Sequence, residues 1–114
     1  MDSLFRLEEG GVALNILVYF DKEDETWIAH CLELDLVEDG DDKLDATLHL
    51  LEMMAAQVQE CKKDHINFIH PAPAEYWYKL HQAKPFSLIK ELEKKLRRPL
   101  ERNVVIKELS DVAA

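Results

Sequence analysis

Apolar residues in the first third of the chain form short runs separated by polar turns. The run at 12–20 is nearly continuous, and its length of about nine residues predicts a strand buried on both faces. The polar turn 21–25 leads into a β-prone run at 26–32, so we expect a hairpin. Segment 34–37 indicates a third short strand, and Gly40 supplies the permissive backbone for the turn that ends it.

The next segment has the period of an α-helix. Asp41 or Asp42 is a suitable N-cap, and the apolar stripe beyond it predicts a helix over about 42–63. The stripe consists of Leu44, Leu48, Leu51, Ala55 and Val58.

This helix has a second apolar face, formed by Ala46, Leu50 and Met53 nearly opposite the stripe. One sheet cannot cover both faces, so either the C-terminal segment or another subunit must cover the second one. We expect one face of the aromatic trio 76–78 (Tyr-Trp-Tyr) to pack against Leu50 and Met53.

Short elements follow in the C-terminal part. Segment 67–69 indicates a short strand, and two prolines then form a stiff connector to a helix over about 74–83. Ser87 predicts the cap of a helix that reaches Arg98, and the apolar run 104–106 indicates a terminal strand.

Composition limits the class of protein. The chain has 114 residues, of which 47% are hydrophobic and 32% charged, as expected for one globular domain rather than a disordered or collagen-like chain. It has no apolar run of the roughly 18 residues needed to span a bilayer, and its first nine residues lack a basic signal-peptide region. We therefore expect a soluble cytoplasmic protein with two reduced cysteines and no membrane contact.

The net charge of −9 is unevenly distributed. Residues 1–65 contain 17 acidic and 5 basic residues, whereas residues 79–107 contain 9 basic and 3 acidic residues. Two opposite fields of this kind either attract a partner or pair with each other within one fold.

Several short motifs occur in a distinctive order. They are Phe20-Asp21, Trp27 and Ala29, Leu34 and Val37, Gly40-Asp41, and Asp45-Ala46. Over residues 12–62 this order resembles the N-terminal domain of the HicB antitoxin family. The resemblance implies a partial RNase H-like fold that masks a small basic RNA-cleaving toxin, HicA.

These observations predict an α+β protein with a small three- or four-stranded sheet and one long helix packed across it. Residues 1–70 would form the HicB-like core, and residues 71–114 a helical C-terminal extension packed on the core in a single compact domain. We expect a non-enzymatic, antitoxin-like protein that binds a small basic, HicA-like partner through its acidic half. The candidate partner-binding residues are Asp21, Trp27, Glu33 and Asp35.

Two other functions remain open. The chain could form a homo-oligomer through the second apolar helix face and have no toxin partner. It could instead regulate transcription by binding DNA through a basic stripe on the helix 87–98, because basic side chains contact phosphates. The stripe consists of Lys90, Lys94, Arg97 and Arg98.

Catalytic and metal sites are weakly indicated. The carboxylates that could serve a two-metal hydrolase are Asp21, Glu33, Asp35, Glu38 and Asp39, but most lie in turns where an acidic protein places them anyway. Cys61, His65 and His70 have a spacing that could hold zinc but lack a paired partner motif. His30 and Cys31 are neighbours on a strand and therefore point to opposite faces. We predict no enzymatic activity, no cofactor and no metal.

Overall fold

A five-stranded mixed sheet forms the centre of the protein. The computed structural model describes residues 13–63 and 70–109. The strands are β1 (Leu14–Asp21), β2 (Thr26–Cys31), β3 (Leu36–Gly40), β4 (Lys84–Pro85) and β5 (Val104–Glu108). The helices are α1 (Lys43–Lys63), α2 (Ala74–Gln82) and α3 (Ile89–Leu96). The predicted α+β class is confirmed, and so is the long helix across the sheet. The predicted strand at 67–69 lies outside the described residues.

The strand order is β3-β2-β1-β5-β4. β1 is antiparallel to β2 and parallel to β5, so Ile16 lies between Cys31 and Ile106. The sheet thus has five strands instead of the predicted three or four. The segment 71–114 is also more than a helical extension, because its strand β5 lies inside the sheet beside β1. β5 takes this inner position because its Val104 and Ile106 are apolar and are buried with the rest of the sheet.

The two faces of the sheet are covered by different helices. Helices α1 and α3 cover the face that carries Leu14, Ile16 and Val18, which we call the α1 face. Helix α2 and the segment before it cover the opposite face around Leu17 and Leu32, which we call the α2 face. None of the helices in the described ranges combines the length and the apolar character needed to cross a membrane.

Most of the second apolar face of α1 is buried within this one chain, and only Met53 of its three residues stays exposed. Ala46 and Leu50 are completely buried and belong to the same cluster as Phe86 and Leu92 from the C-terminal segment. Of the two covers that the sequence left open, the C-terminal segment is therefore the one used. The buried surface of the helix is also rotated from the predicted stripe, since Leu44 and Leu48 are only partly buried whereas Met54 is fully buried.

The expected contact between the aromatic trio and α1 is wrong. Tyr76 and Trp77 pack on the α2 face, and the Trp77 indole donates a hydrogen bond to the carbonyl of Ala72 at 3.1 Å. Met53 stays 41% exposed and Tyr78 72% exposed. The physical reason is that α2 follows its proline connector onto the opposite side of the sheet from α1.

The start of α1 is fixed by its cap and by a close backbone contact. The Asp42 carboxylate accepts a hydrogen bond from the backbone N–H of Asp45 at 2.8 Å, which confirms Asp42 as the N-cap. Gly40 packs so closely on the helix that an added Cβ would lie 2.4 Å from the backbone nitrogen of Ala46. Gly40 is needed for this close approach rather than for a turn.

A buried carboxylate joins three parts of the chain. Glu108 on β5 is 1% exposed and lies 2.7 Å from the Lys43 ammonium at the start of α1. It also accepts hydrogen bonds from the backbone N–H and the hydroxyl of Ser87, at 2.8 and 3.0 Å. Ser87 was predicted to cap a helix with its side chain, but its hydroxyl binds Glu108 instead, and the residue preceding α3 is Leu88.

We predict that Glu108→Gln lowers the free energy of unfolding by about 2–3 kcal/mol at neutral pH, because a buried charge-assisted network is lost. Urea unfolding followed by circular dichroism measures this. Burial opposes ionisation of Glu108, but the hydrogen bonds from Lys43 and Ser87 keep its pKa below the ordinary value of 4.5. The stabilisation is therefore complete above that value and is lost as the pH falls toward the pKa in the folded state.

The difference in the free energy of unfolding between the wild type and Glu108→Gln should therefore become smaller below about pH 4.5. Glu91→Gln is the matched control, since Glu91 is an exposed glutamate on α3. If Glu108→Gln were as stable as Glu91→Gln at neutral pH, the role assigned to Glu108 would be contradicted.

We predict that Gly40→Ala destabilises the protein by about 1–3 kcal/mol or more, because the new methyl group overlaps the backbone of α1. Thermal unfolding measures the loss. Asp41→Ala changes the adjacent exposed residue without entering this contact and should leave the melting temperature nearly unchanged. Equal melting temperatures for both variants would show that β3 and α1 can separate without cost.

Candidate functional site

The four residues predicted to bind a partner lie near two different ends of the sheet. Asp21 ends β1 and Trp27 lies at the start of β2. Glu33 and Asp35 lie beyond the other end of β2, in the link to β3. The six residues of β2 span about 20 Å at the usual rise per residue. The structure therefore does not bring the four residues together into one surface.

The hairpin turn between β1 and β2 is held by the first of these residues. The Asp21 carboxylate accepts hydrogen bonds from the backbone N–H groups of Glu23 and Asp24, at 3.0 and 3.4 Å. Glu25 closes the turn in the left-handed region with φ of 51°. Asp21 thus shapes the turn, while the side chains of Glu23, Asp24 and Glu25 remain exposed.

A second acidic segment lies at the same end of the sheet. Asp21 pairs with Thr26, and the adjacent Trp27 pairs with Gly40, so the turn and the junction between β3 and α1 are neighbours. We call residues 21–25 and 38–45 together the acidic end. It contains two lysines and nine acidic residues, which are Asp21, Glu23, Asp24, Glu25, Glu38, Asp39, Asp41, Asp42 and Asp45.

One of the two lysines at the acidic end is already paired. The Lys43 ammonium binds the buried Glu108 and lies 5.3 Å from the centre of the Trp27 ring. Trp27 also meets Phe20 edge to face, with ring centres 5.3 Å apart, and packs on the core of the α1 face. Trp27 therefore supports the core and the position of Lys43, and the field at this end is dominated by carboxylates.

A shallow groove runs from the acidic end along α1. It has a volume of about 500 Å³ and is lined by Glu38, His49, Glu52, Met53 and Ala56. The ring of His49 is bound through Nδ1 to the carbonyl of Asp39 at 2.8 Å, and this backbone contact raises the His49 pKa. β3 is the outermost strand in the described sheet, so the groove opens beside the outer strand of that part of the chain. Sequence reasoning overlooked His49, because its partner is a backbone atom ten residues earlier.

The third predicted residue, Glu33, has an internal partner. Its two carboxylate oxygens accept hydrogen bonds from the backbone and side-chain N–H groups of Asn15, at 2.6 and 2.7 Å. The carbonyl of Glu33 accepts another from the N–H of His70 at 2.8 Å. Glu33 therefore ties the start of β1 and the segment before α2 to the link between β2 and β3.

The fourth predicted residue, Asp35, pairs with a buried histidine. Its carboxylate lies 2.8 Å from Nε2 of His30, which is only 2% exposed. Asp35 has a left-handed backbone with φ of 51°, which places it at the sharp turn into β3. The His30 ring contacts Tyr76 of α2 edge to face, with centres 4.6 Å apart. This cluster on the α2 face joins residues far apart in the chain, so no sequence spacing pointed to it.

The basic stripe proposed for nucleic acid is shorter than expected. Lys90 and Lys94 are exposed on α3. Helix α3 ends at Leu96, and Arg97 follows as its C-cap with φ of 62°, which takes it out of the helical stripe. The Arg98 guanidinium binds Glu101 at 2.8 Å. The predicted set of four basic residues therefore does not form one continuous helix face.

The structure offers no support for a catalytic carboxylate group. Asp21 serves a turn, Glu33 binds Asn15, and Asp35 binds His30, so these three do not converge. Over residues 13–63 and 70–109, no group of three or more His, Cys, Asp and Glu side chains is placed to hold a metal ion. The zinc spacing noted in the sequence depends on the Cys61 side chain and on His65, which lie outside the part of the chain that the structure describes.

His30 and Cys31 lie on opposite faces of β2, as their positions in a strand require. Cys31 is completely buried in the core of the α1 face, and burial raises the pKa of its thiol to about 12. His30 contacts Tyr76 on the α2 face. The pair cannot act as a nucleophile and its base.

Comparisons with other proteins add no relative: the chain matches no protein-family model, no curated protein and no solved structure. What the site can do therefore has to follow from its own residues.

We predict that Cys31 resists alkylation in the folded protein, because its thiol is buried and stays protonated. In the variant Cys61→Ser, Cys31 is the only remaining thiol. Iodoacetamide at mildly alkaline pH should leave this variant unmodified by mass spectrometry, and concentrated urea should make it react fully. Rapid labelling without urea would show that the thiol is accessible and reactive.

Proposed function

We propose that this protein is a non-enzymatic, HicB-antitoxin-like binding protein of the cytoplasm. Its acidic end docks a small basic protein of the HicA toxin type. The observation that carries the proposal is the convergence of two acidic segments, 21–25 and 38–45, on one end of the sheet. Such a concentration of negative charge on a fixed scaffold favours and accelerates association with a basic partner.

The rigidity of the acidic end supports this role. Its two segments are held by the hydrogen bonds of Asp21 within the turn, by the Asp42 cap and by the contact of Gly40 with α1. Binding therefore requires little ordering of loops, which reduces the entropic cost of association. The acidic side chains are already gathered before the partner arrives.

The fold supports the proposal in a second way. The motifs that resemble the HicB family lie on β1, β2, β3 and the start of α1, and these elements form a sheet crossed by one long helix. That arrangement is the one that the resemblance implies. Gly40-Asp41, one of the resembling motifs, stands where the strand meets the helix and where a larger residue than glycine does not fit.

The two other functions have less support. A homo-oligomer through the second face of α1 has less support, since Ala46 and Leu50 are buried within the chain and only Met53 of that face is exposed. DNA binding through the helix 87–98 is weakened, since Arg97 leaves the helix and Arg98 binds Glu101.

The test is an affinity pull-down with the tagged chain from its native cell extract, at low and high salt. We expect a small basic protein, retained in equimolar amount at low salt and released as the salt concentration rises. Glu23→Lys combined with Asp24→Lys should reduce capture by about tenfold or more, because two exposed carboxylates become repulsive. These residues suit charge reversal better than Asp21 and Asp35, whose carboxylates hold the turn and His30.

The control is the double variant Glu60→Lys with Glu91→Lys, which changes the net charge by the same amount. Both of these residues are exposed and lie far from the turn in sequence. Circular dichroism verifies that both double variants are folded. Equal capture by the two double variants would mean that the acidic end is not the docking surface. Recovery of the chain alone, or with partners unaffected by salt, would overturn the antitoxin-like role.

A further inference from the structure

A pair of tyrosines lies on the α2 face, outside the core of the sheet. Tyr19 of β1 and Tyr76 of α2 are stacked, with ring centres 6.4 Å apart and an angle of 28° between their planes. The edge-to-face contact with the buried His30 holds Tyr76 from the other side. Both tyrosines are only partly buried, so part of this aromatic surface faces solvent.

Three carboxylates act electrostatically on Tyr19. Asp21 is two residues beyond Tyr19 on the same side of β1, Asp35 binds His30, and Glu75 directly precedes Tyr76. Burial, the neighbouring Tyr76 and the negative charges of Asp21, Asp35 and Glu75 together raise the pKa of Tyr19 to about 12. The acidic side chains therefore favour a cation near the Tyr19 hydroxyl.

A cation already lies against this surface. The ammonium of Lys79 is 5.3 Å from the centre of the Tyr76 ring, one helical turn further along α2. This distance is within the range of cation–π attraction. Lys79 is exposed, so its long side chain can move into solvent when another cation takes its place.

We infer that Tyr19 and Tyr76, with the neighbouring carboxylate of Glu75, form a binding site for the guanidinium group of an arginine side chain, which displaces Lys79. Arginine fits better than lysine because its planar group stacks on an aromatic ring while its N–H groups reach the adjacent carboxylate of Glu75. The inference deepens the proposed function by naming the group through which the basic partner is recognised, and it rests on that function only for the source of the arginine.

The test uses a short probe, the peptide acetyl-Gly-Arg-Gly-amide, titrated into the full chain. The ring resonances of Tyr19 and Tyr76 are followed by nuclear magnetic resonance, with Tyr78 as an internal reference because it is 72% exposed. We expect the arginine peptide to shift the resonances of Tyr19 and Tyr76 in a saturable manner. The same peptide with citrulline, which has the shape of arginine without its charge, should cause little change.

Two variants should change the affinity for the arginine peptide in opposite directions. Lys79→Gln removes the competing cation and should strengthen binding by about two- to fivefold, and Glu75→Gln should weaken it by a similar factor. The matched controls are Lys90→Gln and Glu91→Gln, exposed residues on α3 with the same changes in charge. Circular dichroism verifies that all four variants are folded.

Equal effects of the arginine and citrulline peptides would overturn the inference, and so would a Lys79→Gln variant that binds like Lys90→Gln. The outcome is independent of the partner pull-down. If the peptide binds as expected but the extract yields no basic protein, the proposed function fails and the arginine site stands. If a basic protein is captured and Glu75→Gln leaves its binding unchanged, the arginine site fails and the proposed function stands.

Discussion

The buried carboxylate of Glu108 is the interaction on which the arrangement of this fold depends. It joins strand β5 to Lys43 at the start of α1, 65 residues earlier, and to Ser87 in the turn before α3. A buried ion is costly unless its oxygens are fully used, and here three donors offset that cost. The same pair removes the charge of Lys43 from the acidic end. The contact that holds the C-terminal half against the sheet thereby also leaves the acidic end more negative.

The two faces of the sheet have separate tasks. The α1 face is filled with apolar side chains from two helices, and the Glu108 pair is a strongly polar contact beside them. The α2 face carries the less apolar cluster of His30, Asp35 and the stacked tyrosines, under a shorter helix. Stability thus comes mainly from one side of the sheet, and the other side can carry charged and aromatic groups that a dense core would exclude.

The elements were largely predictable because their signals are local. The hairpin, the helix over 42–63 and its Asp42 cap follow from the period of apolar residues and from capping chemistry, and the structure has all three. The strand order was not predictable, because alternation of apolar residues says that β5 is a strand but does not name its neighbours. This is why the sequence predicts residues 71–114 as a helical extension packed on the core, whereas the structure places β5 between β1 and β4.

The candidate site was predictable only in its charge. Acidic residues in turns suggested a docking surface, and the structure gathers most of them at one end. The sequence predicts Glu33 and Asp35 on the same surface as well. In the structure Glu33 binds Asn15, 18 residues earlier, and Asp35 binds His30, 5 residues earlier. The stacked tyrosines come from a strand and a helix that sequence reasoning had placed apart. Contacts of this kind depend on which face of the sheet a helix crosses, and short-range patterns do not contain that information.

The parallel pairing of β1 with β5 has a consequence for how the protein is made. The N-terminal strands and α1 leave the ribosome well before β5, so one edge of β1 has no partner while the chain is growing. An open edge beside an apolar strand is prone to pair with other chains. Completion of the sheet therefore has to await the synthesis of residues 104–108, and the nascent chain passes through a period in which folding and aggregation compete for the same strand edge.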